Sequence, residues 1–368
     1  MNKISRAALL VSIAMTATSV ALICAGPLTP PAGSVASTSK SLAEIEPRIA
    51  LSATNTPGDV SSVFIISQPG SYYLTGDLKP TGGRNGILVN ADNVTIDLNG
   101  YSLDGSSDST GFRAGITNST PRRNVIVRNG TVRNFRGYGA IGHFHTSSFE
   151  NLTFVDSLGG QLEIAPSSGT TVRNVRTRAP SGETGIQVGT NCTIEGCTVE
   201  GGTVGITVAS GVVRGCSVLN PGYNGISIGA GVVTQCYVEG ANSTASVNNA
   251  GINAGNGVRV ESCVIKSCAA SGVSVAGRVQ VVNCQFTSCG KGVSGSGRTL
   301  IEGNHFTQCT TAVAITSTNS MIVGNRFAGN TTAINVPAGN TIGELYDFSS
   351  GGGTLTPTTG HPAANIVY

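Results

Sequence analysis

The sequence contains no tryptophan, few aromatic residues and few charges: aromatics make up 5% and Asp, Glu, Lys and Arg together 11%. The formal net charge is only +3 and no long Lys/Arg run occurs. That balance removes the electrostatic case for a nucleic-acid partner. Beyond the N-terminal region no segment is long and apolar enough to span a bilayer. What the chain has in abundance is glycine, 51 in 368 residues. The glycines show no period of three, which excludes collagen. Many glycines with little charge at this length point to a repeat with tight turns.

The N-terminus has the layout of a secretion signal. Lys3 and Arg6 form a positive region, Ala7 to Ala25 are mostly small and apolar, and Pro27, Pro30 and Pro31 follow. The expectation is a signal peptide over 1–25, cut near Ala21, Ala25 or Ala36, and an exported protein: secreted, periplasmic or at the cell surface. A retained anchor, or lipidation at Cys24, are the alternatives; the bulky Ile23 argues against the second. Residues 26–56, rich in Pro, Ser, Thr and Ala, read as a flexible linker.

A Gly/Ala–aliphatic pair recurs along the remainder, at Gly185-Ile186, Gly205-Ile206, Gly225-Ile226, Gly251-Ile252, Gly272-Val273, Gly292-Val293, Ala312-Val313 and Ala333-Ile334. The steps are 20, 20, 26, 21, 20, 20 and 21 residues, with weaker copies at Gly86 and Gly115. Each pair opens a short alternating segment such as Ile206-Thr207-Val208, which reads as a strand with one buried face. A second block follows, as in Ile194-Glu195-Gly196-Cys197-Thr198-Val199. It reads as two strands meeting at a bend. The bend column is Asn129, Asn151, Asn174, Gly196, Gly215, Gln235, Ser262, Asn283, Gly303 and Gly324, mostly residue types that tolerate left-handed backbone angles.

Three short strands in ~20–22 residues make one rung of a solenoid. The expected fold is therefore all-β: a single right-handed parallel β-helix of about 11–12 rungs. Residues 57–85 would form its N-terminal cap, 86–343 the helix, and 344–368 a C-terminal tail or cap. At Ile66-Ser67-Gln68-Pro69-Gly70-Ser71-Tyr72-Tyr73-Leu74 and Asn93-Val94-Thr95-Ile96-Asp97-Leu98-Asn99-Gly100, the chain resembles right-handed β-helix proteins of the pectin-lyase-like superfamily. The resemblance covers roughly residues 57–343 and is specific for fold.

Two columns look chemical and read as structural. Cys197, Cys216, Cys236, Cys263 and Cys284 follow the bend in successive rungs, continued by Asn304 and Asn325, and Cys268, Cys289 and Cys309 form a second column continued by Asn330. No His joins them to complete a zinc site, so buried free thiols are expected and no metal. Asp97, Arg128, Glu150, Arg173, Glu195 and Arg214 alternate in sign at one rung position, so opposite charges would stack.

What remains for function is the outward face of the first strands. Thr117, Gln187, Thr207, Ser227 and Asn253 are the expected ligand-binding residues, able to hydrogen-bond sugars but without aromatic platforms. The resemblance implies a polysaccharide or cell-envelope glycan as partner, and polysaccharide lyase or glycoside hydrolase activity as an alternative to plain binding. Glu163, Asp156, His143, His145 and Arg136 are the candidate catalytic residues, since an acid/base pair needs ionisable groups beside the sugar face. Gly142-His143-Phe144-His145 only partly echoes the expected hydrolase motif. No cofactor is expected; a lyase would call for calcium. A structural or adhesive envelope protein is the third alternative.

Overall fold

The computed structural model describes residues 46–107, 111–241, 249–349 and 363–368, and the elements below all lie in the unit Arg48–Tyr368. The expected signal peptide, and linker residues 26–45, fall outside the described residues.

The chain is a right-handed parallel β-helix. Its rungs carry three strands, and equivalent strands pair in parallel along the axis. In the first sheet one outward column runs Ile65, Leu88, Thr117, Ile141, Glu163, Gln187, Thr207, Ser227, Asn253, Ser274, Ser294, Ala314, Asn335. That is thirteen stacked strands, one or two more than the repeat count gave. The excess lies upstream. Ser62–Ile66 pairs in register with Asn85–Val89, so the segment expected as a separate cap already contains a rung. Ile49–Ala50, expected in the linker, pairs with Tyr72 and Tyr73, and Leu51 is buried.

The Gly–aliphatic pair has a packing reason. A Cβ on Gly205 would lie 2.4 Å from Val218 Cγ1 and 2.6 Å from the Gly225 carbonyl oxygen. The first strand therefore approaches the third too closely for any side chain there, and Ile206 beside it fills the core with no exposure. Every residue of the expected bend column has positive φ, between 52° and 65°. A second left-handed column follows the third strand: Asn134, Asp156, Gly201, Asn220, Gly240, Ser267, Ser288, Gln308 and Gly329. It carries no dominant residue type.

The nine described cysteines are free and buried. Cys216 Sγ donates to the carbonyl of Arg214, and to that of Ile194 one rung back. Cys236 repeats this with Thr234 and Val213. The thiol thus satisfies carbonyls at the bend while packing as a small apolar group. From Asn304 onward an amide does the same work. Asn304 Nδ2 donates to Val281 O and to Asn325 Oδ1, and Asn325 Nδ2 to Ile301 O and Asn365 Oδ1.

Of the tail or cap expected over 344–368, the described C-terminal residues 363–368 include a strand that joins the stack. Asn365–Val367 is a strand lying between Arg326–Ala328 and Leu345–Asp347, parallel to both. It takes its place in the stack ahead of a segment that precedes it in the chain. Inside the third sheet, Phe286, Phe306 and Phe327 stack with ring centroids 4.7 and 5.4 Å apart.

Candidate functional site

The first-sheet strip is in the expected register. Thr117, Glu163, Gln187, Thr207, Ser227 and Asn253 share one column, and all are half-buried. Alternation places them outward because Ile116, Leu162, Ile186, Ile206, Ile226 and Ile252 beside them face the core. Two shallow clefts open along the edge where the first strands end. One is lined by Thr117, Asn118, Ile141, His143 and Ala165. The other runs past Pro166, Gln187, Thr190, Thr207 and Gly229. Ser227 and Asn253 continue the column but line neither cleft.

The candidate catalytic residues do not assemble into one centre. His143 is exposed at the strand-end edge, where its backbone exchanges hydrogen bonds with the Asn118 amide, both 3.1 Å. His145 sits on a short strand beside Arg122 and Arg123. Arg136 is exposed on the opposite edge, in a crevice with Pro80, Arg84, Arg113 and Phe135. Asp156 has φ 56° and occupies the second left-handed column. Its carboxylate accepts both forks of Arg178, at 3.1 and 2.5 Å. Asp156 is thus a bend residue with an ion-pair partner.

Glu163 stands apart. Its carboxyl is raised above the ordinary carboxylate range, first by burial and then by the nearby charge of Glu183. Burial raises Glu183 as well. Tyr138 is raised by burial, then by Glu163 and by Glu183. These three groups therefore share one neighbourhood, at the edge where the first strands begin. Glu183 immediately precedes the strand Thr184–Thr190. Tyr138 was not singled out, nor was Phe112, whose ring meets that of Tyr138 edge-on at 5.4 Å and 90°. Phe112 is 63% exposed and Tyr223, on the same edge, 47%. Phe112 and Tyr223 thus lie on the edge where the first strands begin, outside the strip itself. They come from loops that composition does not align with the strand repeat.

Several acids elsewhere are matched to bases. Asp97, 6% exposed, meets Arg48 at 3.4 Å and Arg128 at 3.2 Å. Arg173 lies between Glu150 and Glu195, at 3.9 and 3.4 Å, and Arg214 closes on Glu195 at 2.5 Å. The alternating column is an ion-pair ladder. Among the described residues no group of three or more His, Cys, Asp or Glu side chains is placed to hold a metal ion. No helix among them is long and apolar enough to cross a membrane.

No protein-family model matches the sequence, and no curated protein matches it. Solved structures do. The A-module of the Azotobacter vinelandii mannuronan C-5 epimerase AlgE4 superposes with a TM-score of 0.51 at 17% identity, over 80% of this chain and 87% of that one. The AlgE6 A-module of the same organism gives 0.50 at 17% identity, over 80% and 86%. At this identity the likeness is one of fold, and it agrees with the right-handed β-helix seen here.

Proposed function

We propose that this is an exported glycan-binding β-helix that receives polysaccharide along its first sheet. The observation that supports it is the strip itself. Uncharged hydrogen-bonding side chains stand in register every ~4.8 Å, half-buried, with clefts at Thr117 and at Gln187–Thr207. A row of hydroxyls and amides on a stiff sheet suits a ligand that repeats hydroxyl groups along its length, and the rigid frame keeps the ordering cost on the ligand side. That the similar structures include polysaccharide-modifying modules agrees with this reading. No calcium is needed for it, and no nucleic acid.

Calorimetry with neutral, acidic and amino oligosaccharides tests the reading. Binding of at least one class, weakened about tenfold by Gln187→Ala together with Thr207→Ala and unchanged by EDTA, is the expected result. No binding by any class overturns it. Export is tested by fractionating cells that express the full chain. A second reading, polysaccharide cleavage with Glu163 as the acid, rests on its raised carboxyl. New reducing ends or unsaturated products, lost in Glu163→Gln, would favour it over binding alone.

A further inference from the structure

We propose that the crevice at Arg84, Arg113 and Arg136 is a binding site for a tetrahedral oxyanion, a sulfuryl or phosphoryl group. It lies where the first strands begin, on the edge away from the two clefts, and it does not depend on the glycan-binding reading.

The register brings the three side chains together. Arg84 and Arg113 stand three residues before Ile87 and Ile116, which pair across adjacent rungs. Arg136 comes from the next rung, where the Gly137 N–H donates to the Arg113 carbonyl at 2.9 Å. Three guanidinium groups thus line one crevice, with Pro80 and Phe135 as its apolar walls. Like charges stacked on adjacent strands repel. Apolar walls strengthen that repulsion, and they equally strengthen the attraction to an anion placed among the cations.

The second observation is an orphaned donor. Arg113 Nε is buried and has no hydrogen-bond partner. Leaving a buried charged donor unpaired is costly, so the position calls for an acceptor. Among the described residues one other arginine Nε is left in this way, that of Arg122, and its guanidinium already donates to Asn90 Oδ1. There is room against the Arg113 nitrogen. Gly111 has φ +82°, and a Cβ built there would meet nothing closer than Arg113 Nε at 3.5 Å, with Gly83 Cα at 3.9 Å. Those are ordinary contact distances, so an atom fits beside the Nε–H without displacing its neighbours.

The described acids nearby are already engaged. Asp104, next to Gly105 in the crevice wall, is held by Arg133, the Asn134 amide and the Ser106 N–H. Asp59, which lines a second hollow with Arg84, accepts from the N–H groups of Ser61 and Ser62. Arg84 Nε donates to Thr81 O at 3.0 Å, which fixes the side chain and leaves its terminal nitrogens for a ligand.

These features choose the shape of the anion. A carboxylate is flat, and one guanidinium fork saturates it. Three forks from three rungs suit an acceptor with oxygens in several directions and up to two negative charges, as in sulfate or phosphate. The crevice is narrow, with ≈ 10 Å³ open to the centre of a water-sized sphere, so it takes one small group and no sugar ring. The group can arrive free, or as an ester of a larger molecule whose body stays outside.

Calorimetry on the full chain, near neutral pH and at one ionic strength, would compare inorganic sulfate, inorganic phosphate, a glucose sulfate ester and acetate. Sulfate or phosphate should bind at one site at least about tenfold more tightly than acetate. Arg113→Met should weaken that binding about tenfold or more, as the loss of charged hydrogen bonds gives. Arg113→Lys should not restore it, since an ammonium lacks the fork. Without ligand, Arg113→Met should melt no lower than the wild type, because the packed stem stays and the unpaired donor goes. Gln187→Ala should leave sulfate binding unchanged, which separates this site from the glycan strip. Tighter binding of the sugar sulfate than of free sulfate names an ester as the source, and the reverse names the free anion; either supports the site. Equal binding of acetate and sulfate, no saturable binding of a tetrahedral anion at millimolar concentration, or binding that survives Arg113→Met overturns it. Asp108 lies outside the described residues. A ligand-free melting loss shared by Arg113→Met and Asp108→Asn would make the chain's own carboxylate the partner of Arg113, and overturn the proposal as well.

Discussion

The second sheet and the first both carry carboxylates, and they use them in opposite ways. In the second sheet the acid column is interleaved with arginines rung by rung, so each charge is answered within ~5 Å along the axis. Asp97 is the most deeply seated of these. It accepts from Arg48, Arg128 and the Asn129 amide, and from the backbone of Asn99. In the first sheet Glu163 has Ile141 on one side and Gln187 on the other, and the charge that acts on it is another glutamate. The same residue type on the same scaffold is a fold determinant in one sheet and a poised group in the other. What decides is the identity of the neighbour one rung away.

The sharpest way to break this contrast is at Asp97. Asp97→Ala strands two arginines and two amide donors around a nearly buried position, and should destabilise by about 3 kcal/mol, read from urea denaturation. A loss below ~0.5 kcal/mol would mean that the ladder is ornament on a fold held by its core. The next effect concerns pH. The Glu163 carboxyl is raised in the folded state. An acid with a raised folded value favours the folded state below its unfolded pKa, and that advantage is lost as pH rises through the folded value. Stability should therefore decline above the ordinary glutamate range. Glu163→Gln should flatten the decline, and Glu183→Gln should reduce it, in melts run from pH 4 to 8. Identical profiles for wild type and both variants would place the two glutamates in ordinary solvent. The smallest effect is expected at Glu195. It is half-exposed on the surface, and Glu195→Gln should lower the melting temperature slightly in low salt and not at all in 1 M salt, where surface pairs are screened. A salt-independent loss would mean that Glu195 packs rather than pairs.

The features legible in sequence were those that repeat. The first-strand column, the sign alternation and the left-handed bend each recur every rung with restricted chemistry, so residue type alone aligned them. The second bend column was not legible, because Asn134, Asp156, Ser267, Ser288 and Gln308 reach the same φ with unrelated side chains. That is why Asp156 looked like a candidate acid. The Tyr138–Phe112 contact was hidden for another reason. It joins a strand residue to a loop outside the repeat, and nothing in the period predicts which loop side chain folds back. The rung at Ser62–Ile66 was missed because its partner Asn85–Val89 begins the weaker copies, where the Gly–aliphatic signal fades.

The placement of Asn365–Val367 bears on how the solenoid can assemble. A parallel β-helix lends itself to growth by zippering, each rung templating the next in chain order. Here that order fails at one point. Among the described residues Leu345–Asp347 has a single strand partner, and that partner comes later in the chain. Residues up to 342 can stack as they arrive, but the slot beside Arg326–Ala328 stays open until Asn365 delivers its amide to Asn325. Closure is then one concerted, non-local event rather than one more step of the zipper. It is an event that loop-closure entropy slows and that a buried asparagine, matched on both sides, makes hard to reverse.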